Sequence, residues 1–224
     1  MKTNLQALAV TLLLSGCASM AGLGPMSDDR ADQADRTDEF LSTLSALCGL
    51  AFAGEVEVDR EADGTPADPN SPWTTQPVVM HVRDCSYDAV RIPLHVGEDR
   101  SRTWVLTRTD AGGLRLKHDH RHEDGSEDAV TQYGGDTVAG PIARPSVSAA
   151  TAIRQEFPVG AFSVALFQRE GLSASTENVW AMEIILGETF VYELARPSGR
   201  LFRVRFDLTN PVPTPPPVWG YDDR

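Results

Sequence analysis

Lysine is nearly missing from this chain: Lys2 and Lys117 are the only two, and 20 basic residues face 32 acidic ones for a formal charge of -12. A phosphate backbone is held by a basic footprint, and no stretch here supplies one, so a nucleic-acid partner is excluded. Long apolar runs are also missing. The stretch from Leu5 to Leu14 is too short for a comfortable membrane-spanning helix, which takes about 20 residues. There are three cysteines, Cys17, Cys48 and Cys85, and their wide spacing forms neither a CxxC redox motif nor a zinc knuckle. A G-x-S-x-G elbow, a Walker loop, a dinucleotide fingerprint and an HExxH pair are all absent. No reaction is named by motif, so function has to be read from where the unusual residues fall.

The chain opens MKTNLQALAVTLLLSGCASM: a lysine, a short apolar segment, then small residues before Cys17. That order is the pattern of a secretory signal. The LSGC ending resembles the lipobox of bacterial lipoproteins. The resemblance covers about the first 20 residues and implies a signal peptide over 1–16, acylation of Cys17 and anchoring of the chain to a lipid bilayer. Ala18, in place of Asp after the cysteine, implies the outer membrane, with the folded body facing the periplasm. With Cys17 used for lipid, Cys48 and Cys85 are an even pair in an oxidising compartment, and a disulfide between them is expected.

Residues 17–36 are small, acidic and poor in aromatics, which predicts a flexible tether. Asp38 is placed to cap a short helix with Phe40, Leu41, Leu44, Leu47 and Cys48 on one side. Most of the chain beyond that helix is strand-like: AFAGEVEV, VVMHV, AVRIPLHV, RTWVLTRT, LRLKHDHRH, TQYGG, ATAIRQEF, AFSVALF, NVWAMEIIL, TFVYELA and LFRVRFDLT, separated by Gly, Asp, Asn, Ser and Pro. Hairpins are expected around Pro197-Ser198-Gly199 and Asp124-Gly125. No βαβ rhythm and no internal repeat is present. The fold class is therefore all-β: an antiparallel, closed or nearly closed β-barrel of roughly eight to ten strands over 37–210 with a short N-terminal helix, closure removing the exposed edges. A two-sheet sandwich is the alternative. Residues 211–224 form a Pro-rich tail in which Trp219 and Tyr221 are expected to pack back on the body or meet a partner.

The residues LRLKHDHRHED, 114–124, hold three of the five histidines at alternate positions. Side chains alternate across a strand, so Leu114, Leu116, His118, His120 and His122 share one face, opposite the charged Arg115, Lys117, Asp119, Arg121 and Glu123. The histidines thus point inward with the leucines, and the barrel interior is expected to change from apolar to imidazole-rich toward one end. Residues four apart on a strand are about 13 Å apart, too far for three histidines of one strand to share an ion at about 2 Å. A pair is permitted, His118 with His120 or His120 with His122. A divalent transition metal is then the candidate cofactor, completed by His81 or His95, with Glu98, Asp99 and Glu183 as weaker ligands. Hydrogen-bonded neutral histidines lining a wet cavity are the alternative.

Arg102 and Trp104 share a face of EDRSRTWVLTRT and join the expected ligand-binding set of His118, His120 and His122; Arg205 is a weaker anion-binding candidate. The acidic turn HEDGSED lacks the EF-hand spacing. Trp180, Met182 and Ile184 form an apolar stripe that belongs to the core. The residues favour an envelope lipoprotein that binds a small molecule or ion in a histidine-lined barrel, more a binding protein than an enzyme. A metal-dependent hydrolase and a non-catalytic envelope protein with a protein partner are the two alternatives. No catalytic set can be picked.

Overall fold

The computed structural model describes residues 26–138 and 153–221. The expected signal peptide, Cys17 and the first part of the tether lie outside them. Helix α1 (Met26–Ser45) begins well before Asp38, so residues 26–36 are helical where composition predicts a tether. The reason is tertiary. Gln33 and Thr37 are buried on the same stripe as Phe40, Leu41, Leu44 and Leu47. Gln33 Nε2 donates to Gln155 Oε1 at 3.4 Å, and Gln155 Nε2 donates back to the Arg36 carbonyl at 3.2 Å. Asp38 does not cap the helix; it lies within it, ion-paired to Arg108.

Among the described residues eleven strands come after the helix: β1 (Ala51–Arg60), β2 (Val78–His81), β3 (Asp84–Cys85), β4 (Ala89–Val96), β5 (Asp99–Arg108), β6 (Leu114–His120), β7 (Tyr133–Asp136), β8 (Ile153–Pro158), β9 (Val179–Ile185), β10 (Thr189–Ala195) and β11 (Leu201–Val212). Ten run antiparallel in the order β7-β6-β5-β4-β2-β1-β11-β10-β9-β8, with β3 attached to β4, and form a nearly closed barrel. This is the all-β barrel expected from the sequence and not the sandwich. Both expected hairpins form, β10–β11 and β6–β7.

The stretch AFSVALF, which reads as a strand, is instead helix α3 (Ala161–Arg169). Its buried residues Ser163, Leu166 and Phe167 fall at helical spacing, not in alternation. The helix closes the seam between β7 and β8. Ser163 Oγ accepts from Gly134 N at 2.7 Å and donates to Gly134 O at 2.8 Å, and Gly160 N donates to Gly134 O at 2.9 Å. The seam requires glycine. A Cβ at Gly134 would stand 1.9 Å from Leu116 O, and one at Gly135 would stand 1.8 Å from Pro158 O.

One end of the barrel is plugged. Helix α1 meets the β5–β6 turn end, where Asp38 pairs with Arg108 and Ala34 lies against Gly112. Phe40, Leu41 and Leu44 of the helix, and Leu47 in the turn after it, enter the core with Phe52, Met80, Leu114 and Leu116, each contributing about 1.5–3 kcal/mol by burial. The expected Cys48–Cys85 disulfide forms and ties the chain just after the helix to β3.

The tail beyond β11 lies against the outer wall. His95 Nε2–H donates to Pro216 O at 2.9 Å, Trp219 N to Arg100 O at 3.1 Å, and the Arg83 guanidinium lies 3.6 Å over the Tyr221 ring. Packing on the body is thus the observed state of Trp219 and Tyr221.

Candidate functional site

Opposite the plug, the start of β5 and the end of β6 line an interior cavity of about 380 Å3. The pairing register brings Arg102 against His120, Trp104 against His118 and Leu106 against Leu116, all on the inward face. Four of the five expected ligand-binding residues, His118, His120, Arg102 and Trp104, therefore line one space. His122 does not. The β6 ladder ends at His120, and the backbone turns back through His122 N–H to Ser126 O, which leaves the His122 side chain exposed outside the cavity.

The floor is a neutral hydrogen-bonded network. The Tyr133 carbonyl can only accept, so His118 Nδ1 carries the proton and donates to it at 3.2 Å. His118 Nε2 is then an acceptor, and the Tyr192 hydroxyl donates to it at 2.8 Å. The Tyr133 hydroxyl bonds His120 Nε2 at 3.1 Å. Rings stack around these contacts: Tyr133 on His118 with centroids 4.5 Å apart, and Trp104 on Tyr192 at 4.4 Å.

Burial, with a smaller push from His120, brings His118 down to about 3. Burial and the Arg102 charge bring His120 down to about 4. Burial pushes Tyr133 up to about 12 and holds Tyr192 well above the ordinary tyrosine value. All four groups are uncharged at neutral pH. A general acid or base works best with a pKa near the operating pH, and none of the four has one.

The rim is mixed. Trp73 is set by the short helix α2 (Pro72–Thr75), where Ser71 Oγ accepts from Trp73 N at 3.3 Å. Its ring packs edge-on against Phe202 at 5.0 Å, with the Arg102 guanidinium 5.6 Å away. Arg102 pairs with Asp99 at 2.5 Å and Arg200 with Asp59 at 2.6 Å. Asp59, Glu61 and Asp68 outnumber Arg102 and Arg200 in the lining. Leu94, Leu194 and Phe202 complete an apolar wall.

The expected metal set is not assembled. His81 and His95 alternate out of phase with the core residues Met80 and Leu94, so they lie on the outer face beneath the tail, across the wall from His118 and His120. His118 has both ring nitrogens engaged. Asp99 is bound to Arg102, Glu98 is exposed, and Glu183 lies on the outer face with Arg154. Among the described residues no group of three or more His, Cys, Asp or Glu is arranged to hold a metal ion. The residues present do not fit the metal that the sequence suggests. Arg205 also points outward and pairs with Glu57 at 3.0 Å.

Several lining residues escape a motif reading. Tyr192 had a usable signal, since it alternates in phase with Phe190 and Leu194. Tyr133 and Trp73 had none, because each sits in a four-residue element, strand β7 or helix α2, too short to show a period. No protein family, curated protein or solved structure matches this chain.

Proposed function

We propose that this is a lipid-anchored envelope protein whose barrel binds a small amphipathic organic molecule without transforming it. The carrying observation is the β5–β6 register, which sets Arg102 beside His120 and Trp104 beside His118 inside a cavity closed at its far end. The apolar body of the ligand lies among Trp73, Leu94, Trp104, Leu194 and Phe202, and its polar head meets Arg102 and His120 at the rim. That head is a neutral or zwitterionic hydrogen-bonding group, because both rim arginines are already paired with aspartates and the lining acids are in excess. Acylation of Cys17 holds the protein at the outer membrane with the body in the periplasm. Metal-dependent hydrolysis receives no support from the donor set. The tail, packed against the wall, gives no support to a partner-binding hook.

Solvent extraction and mass spectrometry of the mature protein purified from the envelope test the reading, together with titration of the uncharged dye N-phenylnaphthylamine. Leu194→Trp fills the cavity and should abolish dye fluorescence and any co-purified molecule, while Cys17→Ser should move the protein from the membrane fraction to the soluble one. An unaltered dye signal in Leu194→Trp would overturn the cavity reading.

A further inference from the structure

The walls of the interior cavity differ in how firmly they are held. Most of the lining stands on strands, whose backbones are pinned by ladder hydrogen bonds; the exceptions are Arg200, in the turn before β11, and part of the β1–β2 connection, residues 61–77. That connection supplies Glu61, Ala67, Asp68, Ser71 and Trp73 to the mouth, yet none of its residues is buried. Displacing a strand breaks its ladder, whereas a segment with few buried contacts yields at low cost. The shape of the mouth is therefore set by the connection, and the shape of the interior by the barrel.

Trp73 is the large apolar side chain that this connection brings to the mouth. Pro72 opens helix α2, where its fixed φ suits the first turn, and Ser71 Oγ accepts the Trp73 N–H. No residue of the helix is buried, so it serves as a platform whose indole reaches inward. The ring stands edge-on against Phe202 at 5.0 Å, with the Arg102 guanidinium over it at 5.6 Å. Phe202 belongs to β11 and Arg102 to β5, four places apart in the barrel order, so one ring bridges two well-separated parts of the rim. The cavity behind it, about 380 Å3, is at the small end of the roughly 300–1,000 Å3 usual for small-molecule sites.

We propose that Trp73 sets the length of ligand the barrel accepts: a compact apolar body that ends beneath the indole is enclosed, and a long alkyl or acyl chain is refused. The assignment rests on the interior cavity being the binding site. The strands fix the cross-section of that cavity, and the indole fixes its depth. A chain that outgrows the cavity leaves its further methylenes in water or pushes the ring off Phe202. It then forgoes the burial that ordinarily tightens binding about fourfold per methylene. Replacing the indole by a methyl group opens a groove between Phe202 and Arg102 for those methylenes and removes no buried residue.

The test is displacement of N-phenylnaphthylamine by n-octyl and n-dodecyl maltoside, each below its micelle concentration, from the unanchored Cys17→Ser protein. The readout is the ratio of the two affinities within each protein, so a general change in affinity cancels. With Trp73 in place, we expect the dodecyl compound to bind less than about fourfold more tightly than the octyl one, and Trp73→Ala to raise that ratio about tenfold or more. Trp73→Phe keeps a ring beside Phe202 and should stay near the starting ratio. Equal ratios with tryptophan and alanine, or no displacement by either compound from Trp73→Ala, would overturn the proposal while the cavity reading stood on the dye binding of the parent protein. A parent protein that takes up no dye would remove both.

Discussion

Mild acid should destabilise the barrel before its carboxylates titrate, because His118 is folded as a neutral group. Burial holds its imidazole at about 3 against an ordinary 6.5. The folded state therefore binds fewer protons than the unfolded chain between these values, and stability falls as the pH drops below about 6.5 and stops falling near about 3. Each pH unit in that window corresponds to about 1.4 kcal/mol, so His118 alone removes about 2 kcal/mol between pH 6.5 and pH 5. His120 acts in the same direction, lowered first by burial and then by Arg102. Carboxylates with depressed values, such as Asp207 at about 2, lose their contribution only further down and stay outside this interval. The assay is urea unfolding at pH 7 and pH 5, followed by tryptophan fluorescence. His118→Gln keeps a donor and an acceptor at the position and removes the titration. Whatever its stability at pH 7, it should lose about 2 kcal/mol less than the wild type over the same interval. Equal losses in the two proteins would refute the reasoning.

Gly135→Ala forces a methyl group against Pro158 O and should cost about 3 kcal/mol or more in thermal or urea unfolding. Gly171→Ala, at a positive φ of 73° with open space around it, should cost about 1–2 kcal/mol. Cys48→Ser with Cys85→Ser removes a cross-link of sequence separation 37 and should lower unfolding stability by about 4 kcal/mol; an unchanged denaturation midpoint would contradict this. Elemental analysis of protein purified without chelator should find no stoichiometric zinc, copper, iron or manganese. A near-equimolar metal lost on His120→Ala would reverse the reading of the floor as a neutral network.

Much of the barrel was legible because its signals are local. Alternation in LRLKHDHRH, AVRIPLHV and TFVYELA assigns each residue to a face without reference to any other strand. The inward phase of Leu114, Leu116, His118 and His120 is borne out by the burial of the leucines and His118 and by His120 in the cavity lining. The even cysteine pair predicted its own bond. Two readings failed where distant partners outweigh local pattern, and a third failed because a local pattern was passed over. Residues 26–36 look like a tether by composition, yet Gln33 and Arg36 find partners on Gln155. AFSVALF is apolar enough for a strand, yet the seam at Gly134 takes it as a helix. His81 and His95 were grouped with the other histidines by residue type alone, and their phase relative to Met80 and Leu94 puts them outside.

Short stretches of the chain were enough for the antiparallel barrel, the disulfide and the inward face of His118 and His120, because strand period and cysteine parity are local properties. Long-range packing was needed to keep His120 in the cavity while His122 leaves it, to engage both His118 nitrogens with Tyr133 and Tyr192, and to lay the tail along an arginine-lined cleft. Those outcomes depend on where a ladder ends and which distant strand lies beside it, and register between strands far apart in the chain is set by the packing of the whole barrel.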